Sequence, residues 1–338
     1  MNSDDVQFGV VILDGTIQQD LLFSTAAEKM GYDSVWIYDH NYLPEPWNAS
    51  CPEAMTLLTA IAMNTKTLKL GTCVIDAGRR NPATLAQVVS SLDIISKGRV
   101  ILGIGAGGNY SSYGRTESRR YTRLRENIEV MKGLWREPIF DFRGKIYTYP
   151  GMRLTMKPIQ KPNPPILVGA HGPRSLKMIG QIGDGWLPNK VSPQTFEEGW
   201  RKIIESATAS GREVEQLLPT HLAFTSMAED YNTAKETLSP IANQLMINAS
   251  RPPLHFHKKM GYSKQWIKPE DVPAEVLDRA LIFGTQDQCI SRMEKFIEAG
   301  VKHFALCVVS KSTPWRSVED AIGEIKLYYD KVVSYFKS

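Results

Sequence analysis

Short apolar runs alternate along this chain with longer stretches in which apolar residues recur at helical spacing. Phe8 to Leu13 is the first run and reads as a strand ended by Asp14-Gly15. Gln18 to Met30 carries Leu21, Leu22, Ala26 and Met30 near one face, with Gly31 as the stop of a helix. Ser34 to Tyr38 (SVWIY) is a second strand, and Asp39-His40 follow it directly. A loop rich in Pro and aromatics, 41–52, leads to a helix over Glu53 to Asn64. The third strand opens at Lys69: Leu70, Val74 and Ile75 are apolar, and Thr72 and Val74 are β-branched. It stops abruptly at Asp76, Gly78, Arg79, Arg80, Asn81 and Pro82, and a helix over Pro82 to Ser96 starts on its proline. Val100 to Ile104 is a fourth strand, followed by Gly105, Ala106, Gly107, Gly108 and Asn109.

The second half repeats the alternation. Arg120 to Trp135 is a long helix, and Phe140 to Tyr149 is a hairpin around Arg143-Gly144. Strands follow at Ile166 to Val168, Gly185 to Leu187, Leu217 to Phe224 and Phe304 to Val309. Helices follow from Pro173 or Arg174 to Gln181, then over Pro193 to Ser210, Tyr231 to Leu245, Gln286 to Ala299 and Val318 to Phe336. Residues 247–283 break the rhythm with Pro252, Pro253, Pro269 and Pro273, and read as an insertion near the C-terminal face. Eight strands alternating with helices predict parallel strands joined by right-handed crossovers, an α/β (β/α)8 TIM barrel formed as one domain over 1–338. The strand tips of such a barrel share one face, and that face holds the active site.

Composition narrows the function. With 338 residues and 42% hydrophobic content the chain can bury a full core, and 22% charged residues argue against disorder. A net charge of +4, without a basic run interleaved with aromatics, argues against nucleic acid and is compatible with a small anionic ligand. Cys51, Cys73, Cys289 and Cys307 form no CxxC pair, which fits free thiols in a reducing compartment. His255 and His257 stand two apart but lack a third ligand, so no metal is expected. No apolar run approaches the ~20 residues of a membrane span, and MNSDDVQFGV has no apolar signal region, so a cytoplasmic protein is expected.

The strand tips carry the chemistry. An imidazole titrates near neutral pH, so His40 behind a strand suits proton donation, although Asp39-His40 is equally readable as a hydrogen-bonded turn. Gly103 to Gly108 matches GxGxxG, but no helix starts inside it and no acid stands at the next strand end. Glu126 and Glu129 fall within a helical pattern, so these glycines better suit close approach of a flat ring. Gly169 to Pro173 leads into a helix whose free N–H groups can hold a phosphate, or is an ordinary βα loop. Arg79-Arg80 can fork onto acidic ligand groups, or be a solvated pair. Trp47, Trp186 and Trp266 are readable as pocket lining or as packing.

SVWIYDH (34–40), LGTCVIDAGRRNPATLAQ (70–87), GRVILGIGAGG (98–108), PPILVGAHGPRSLKMIGQIGDGW (164–186) and FGTQDQCISRMEKFIEAGV (283–301) together resemble the luciferase-like monooxygenase superfamily. Within it they resemble the coenzyme F420-dependent oxidoreductases, over about Val6 to Val333. DAGRRNP and AHGPR look most like the phthiodiolone ketoreductases, and GAHGP looks like the GAQGP of methylenetetrahydromethanopterin reductases. The resemblance implies that Asp39 contacts a deazaflavin ring and that His40 is the catalytic proton donor. It also implies a cis peptide at Cys73-Val74 behind the ring, and a hydrogen bond to the cofactor from Asp76. Gly107, Gly108 and Ser111 would line the ring and its ribityl chain, and Ala170, His171 and Gly172 would hold the phosphate. Gly108 stands where sugar-phosphate and alcohol dehydrogenases of the family carry a glutamate. The expected function is hydride transfer between F420 and a carbonyl or iminium carbon of a small-molecule substrate, in a homodimer. An FMN-dependent monooxygenase and a non-catalytic F420-binding protein are the alternatives.

Overall fold

The computed structural model describes residues 6–13, 15–43, 49–107, 119–249, 266, 268–311, 313 and 317–337. The barrel strands are β1 (Gln7–Ile12), β2 (Ser34–Ile37), β3 (Lys69–Thr72), β4 (Val100–Gly105), β5 (Ile166–Gly169), β6 (Gly185–Trp186), β7 (Leu218–Met227) and β8 (His303–Val308). Each pairs in parallel with the next, and β8 pairs with β1, so the sheet closes on itself. Closure leaves no unpaired sheet edge. The helices are α1 (Ile17–Met30), α2 (Ala54–Asn64), α3 (Pro82–Ile95), α4 (Arg120–Arg136), α5 (Pro173–Ile182), α6 (Pro193–Thr208), α7 (Tyr231–Ala249), α8 (Ala274–Ala280), α9 (Gln286–Glu298) and α10 (Val318–Tyr328).

Local chemistry starts each helix where the sequence places it. Thr16 and Thr285 form capping boxes with Gln19 and Gln288, and Asn81 caps α3 ahead of Pro82. Gly31 ends α1 at φ 96°, a left-handed conformation that costs glycine little. Val10, Val35, Leu102, Ile104 and Val168 are buried in the apolar layer that includes the helices, whereas Val11, Trp36, Leu167, Phe224 and Ala305 are buried in the barrel interior. Trp36 fills that interior so fully that a Cβ at Gly71 would stand 2.2 Å from its ring. Its Nε1 donates to Ser34 Oγ at 2.8 Å, and Ser34 Oγ lies 2.8 Å from His303 Nε2, so the polar groups of this layer satisfy one another.

Three features add to what the residue pattern predicts. The third strand is not continuous: β3 pairs Leu70 with Val100 and Gly71 with Ile101, and pairing resumes as Ile75 with Ile104 and Asp76 with Gly105. The offset drops by one between the two segments, which is a β-bulge at 72–74. The Cys73–Val74 peptide is cis, which the resemblance implied. Secondly, the stretch expected as an insertion contains α8 and a short strand, Ile282–Gly284, that adds to the end of β7. Trp266, Val276, Leu277 and Phe283 are buried there with the barrel-interior cluster. Thirdly, the last helix changes pitch at Tyr329–Val333. The expected hairpin is present, held by the buried Glu126, whose carboxylate accepts the backbone N–H of Lys145 at 2.6 Å and of Ile146 and Tyr147 at 3.0 Å. Among the described residues no helix is long and apolar enough to cross a membrane.

Candidate active site at the strand tips

The tips of β2 and β3 are neighbours, and their side chains interlock. Asp39 follows β2 and is 3% exposed. A carboxylate at that depth needs partners, and both come from the turn after the bulge. Arg80 grips the Asp39 carboxylate with both terminal nitrogens, through Nη1 to Oδ2 and through Nη2 to Oδ1 at 2.8 Å. Arg79 Nη1 lies 3.0 Å from Asp39 Oδ1 and donates to the Asp39 carbonyl at 2.6 Å. Arg80 also reaches Glu53, the residue that caps α2 through a 2.7 Å bond from Thr56 N–H. Asp76 completes the knot: its N–H points at Asp39 Oδ2 at 3.4 Å, and its own Oδ1 accepts Gly78 N–H at 2.6 Å. The two arginines therefore pair with groups inside the protein, an arrangement that neither reading of the sequence, ligand fork or solvated pair, contained.

Val74 leaves the bulge as a wedge between β4 and β5. A Cβ at Gly105 would stand 2.8 Å from Val74 Cγ2, and one at Gly169 would stand 3.1 Å from Cγ1. Small residues on both neighbouring strands make room for it. Gly107, just past β4, adopts φ 76°, and a Cβ there would stand 2.2 Å from either Asp76 carboxylate oxygen. Its carbonyl is held by Arg120 at the start of α4. Gly108 and Ser111 fall outside the described residues, as do Trp47, His255 and His257.

After β5, Ala170 gives its carbonyl to Trp186 Nε1 at 2.7 Å, so Trp186 positions this turn. Gly172 is the N-cap of α5, and no side chain caps that helix end. Arg174 in its first turn lies 4.0 Å above the Tyr121 ring. Pro173 brings no N–H, and the Ser175 and Leu176 N–H groups donate to the Gly172 carbonyl at 2.9 Å, so what this helix start offers an anion is the Arg174 N–H and the positive end of its dipole.

His40 is exposed at the rim, its ring centroid 6.3 Å from that of Tyr38. The protein packed around it lowers the imidazole pKa below 6.5 and Arg79 adds to the effect, while Asp39 and Asp76 oppose it. Solvent access to the ring limits that shift. Below it, burial raises the Tyr38 hydroxyl well above 10, with Cys307, Cys73 and Cys51 contributing. The same burial raises the Cys73 and Cys307 thiols, which makes them poor nucleophiles. A cavity of about 510 Å3 opens beside this cluster, lined by Gly15, Thr16, Asn41, Cys51, Pro52 and Val318.

The structure thus brings Asp39, His40, Cys73, Val74, Asp76, Gly107, Ala170, His171 and Gly172 to the C-terminal ends of β2 to β5. Sequence reasoning missed the partners Asn41, Glu53 and Tyr38. The adjacency of β2 and β3 in barrel order was the signal that could have paired Asp39 with Arg79-Arg80.

Known proteins resemble this chain over most of its length. The chain is 31% identical over 293 residues to an F420-dependent glucose-6-phosphate dehydrogenase from Kineococcus radiotolerans, covering 83% of this chain and 84% of the relative. It is 28% identical over 293 residues to a 5,10-methylenetetrahydromethanopterin reductase from Methanolobus tindarius, covering 82% and 86%. A solved F420-dependent secondary alcohol dehydrogenase in complex with an F420-acetone adduct superposes with a TM-score of 0.78 at 25% identity, over 98% of this chain and 99% of that one. The family model of the luciferase-like monooxygenases matches residues 11–303, so this chain belongs to the luciferase-like monooxygenase family.

Proposed function

We propose that this protein is an F420-dependent oxidoreductase that moves hydride between the deazaflavin C5 and a carbonyl or iminium carbon of a small organic substrate. The observation that carries this reading is one rim that gathers an exposed imidazole, a bulged strand, a left-handed glycine and an uncapped helix start. The F420-dependent relatives support the choice of cofactor. The residues fit the group. The missing side chain of Gly107 lets the Asp76 carboxylate pack against its backbone at the rim where a flat ring would approach, and Ala170, His171 and Gly172 lead into a helix start suited to a phosphate. Asp76, Cys73 and Val74 would back the ring. Asp39 acts by fixing this wall, since its carboxylate is occupied by Arg79, Arg80 and Asp76 N–H. When bound, F420 supplies the hydride or takes it up.

His40 supplies the other half of a ketone reduction, a proton to the substrate oxygen. Its lowered pKa makes the imidazolium the stronger acid, and reduction accelerates as pH falls through that pKa. The reverse oxidation needs the neutral ring and accelerates as pH rises. The reading includes a homodimer in the cytoplasm, for which sedimentation of the purified protein tests the assembly.

Fluorescence titration with F420 and with FMN, followed by turnover of reduced F420 with small ketones, tests the proposal. F420 binds more tightly, and His40→Ala leaves that binding nearly intact while slowing turnover ~10²-fold or more. Tighter FMN binding with substrate-dependent oxygen uptake overturns it in favour of a monooxygenase. F420 binding without any His40-dependent turnover favours a binding protein.

A further inference from the structure

We propose that Arg79 is the positioning residue for His40: its guanidinium grips the chain on both sides of that histidine and so fixes where the imidazole stands. The inference rests on the proton-donor role of His40 proposed above. β2 ends at Ile37, and residues 38–41 belong to no regular element, so ladder hydrogen bonds do not hold them. Among the described residues no hydrogen bond restrains the His40 ring either, and its one recorded ring neighbour is Tyr38 at 6.3 Å. Arg80 and the Asp76 N–H hold the Asp39 carboxylate, and Arg79 spans His40 itself. Nη1 donates to the Asp39 carbonyl at 2.6 Å, one residue before His40, and Nη2 donates to Asn41 Oδ1 at 3.0 Å, one residue after it. A planar fork can bridge two acceptors in this way, and a lysine ammonium cannot reproduce the spacing.

The grip is braced from behind. Arg79 Nη1 also lies 3.0 Å from Asp39 Oδ1, and Arg80 ties the same carboxylate to Glu53 at the start of α2. The clamp therefore joins the tip of β2, the turn after β3 and the first turn of α2 into one unit. The charged groups bearing on His40 are Asp39 beside it and Arg79 and Asp76 from the β3 turn. Burial bears most on the His40 proton and Asp39 next; Arg79 works against that proton while it fixes the place of the ring.

Two variants separate these effects. Arg79→Lys keeps the charge and loses the fork, and Arg79→Gln loses the charge. His40 is followed by NMR titration of the cofactor-free protein, its signal assigned by its loss in His40→Ala, and turnover is followed with reduced F420 and acetone as probe ketone. In both variants kcat falls ~10- to 10²-fold, the scale of a small misplacement of a reacting group, while the Kd for F420 is unchanged. In Arg79→Gln the His40 pKa rises and the pH profile follows it; in Arg79→Lys it stays near the wild-type value. Wild-type kcat in both variants overturns the proposal, as does a kcat loss matched by lost F420 affinity. A wild-type His40 titration in Arg79→Gln overturns it whatever the activity. If His40→Ala turns over normally, the proton-donor reading fails, and the titration still decides whether Arg79 governs His40. Should Arg79→Gln fail to fold, Arg79→Lys carries the kcat arm.

Discussion

The wedge at Val74 makes a quantitative claim about three residues. Replacing Gly105 by Ala forces a methyl to within 2.8 Å of Val74 Cγ2. Overpacking of that kind costs about 1–3 kcal/mol. Replacing the half-buried Val74 by Ala removes two methyl groups and costs about 1 kcal/mol, less than two fully buried carbons at ~0.8 kcal/mol each. Independent effects would sum to about 2–4 kcal/mol. They are not independent here. Once Cγ2 is gone, the new Cβ at residue 105 meets only Gly169 O at 3.4 Å and Val74 Cβ at 3.9 Å, both ordinary contacts. The double variant should therefore cost about 1 kcal/mol, a coupling of about 1–3 kcal/mol in favour of the pair. Urea denaturation of the wild type, both single variants and the double variant, with the m-value checked for constancy, measures this. Additivity to within about 0.5 kcal/mol would refute the wedge.

Other consequences are equally direct. Asp39→Asn removes the charge that two arginines share; the arginines keep 16–18% exposure, so the loss should be about 2 kcal/mol, below the ~3–5 of a fully buried pair, read from thermal melts. Burial holds His221 and His303 neutral with pKa values of about 3 against 6.5. The unfolded chain takes up those protons first, so this stability is full above about 6.5 and is lost as pH falls toward 3, at up to ~2.7 kcal/mol per pH unit for two groups. His221→Leu should halve that slope in urea midpoints measured from pH 7 to 5. Glu126→Ala strands three backbone N–H groups of the hairpin turn and should speed hydrogen exchange at Lys145, Ile146 and Tyr147; unchanged exchange would mean the turn holds itself.

The barrel was readable because its strands are buried on both faces and appear as plain apolar runs such as VVIL and VILGI. The break in the third strand was not readable from the residues themselves; only the resemblance pointed to Cys73-Val74. Thr72, Val74 and Ile75 have strand character one by one, and register is a relation between strands that no single run encodes. The helix α8 escaped for a related reason: prolines crowd its surroundings, and only burial against the β7 end reveals its apolar face. At the site, the residue types at the tips were visible, but their division of labour was not. Asp39 and Arg79-Arg80 lie about 40 positions apart, and only the pairing of β2 with β3 makes them neighbours. The solvent-facing rank of His40 and the bracketing by Asn41 required coordinates.

The single surplus residue at 72–74 has an effect larger than its size. Side chains on a strand point alternately to one side and the other, and an odd insertion inverts that order for everything downstream of it. Ile75 thereby comes into step with Ile104 and packs with the helices, while Asp76 comes into step with Gly105 and turns to the opposite side, beside Asp39 and Gly107. Deleting one residue here would turn the segment over, burying a carboxylate in oil and turning an isoleucine toward Asp39 and its arginines. The fold would keep its outline while its polar rim was swapped for its packing face.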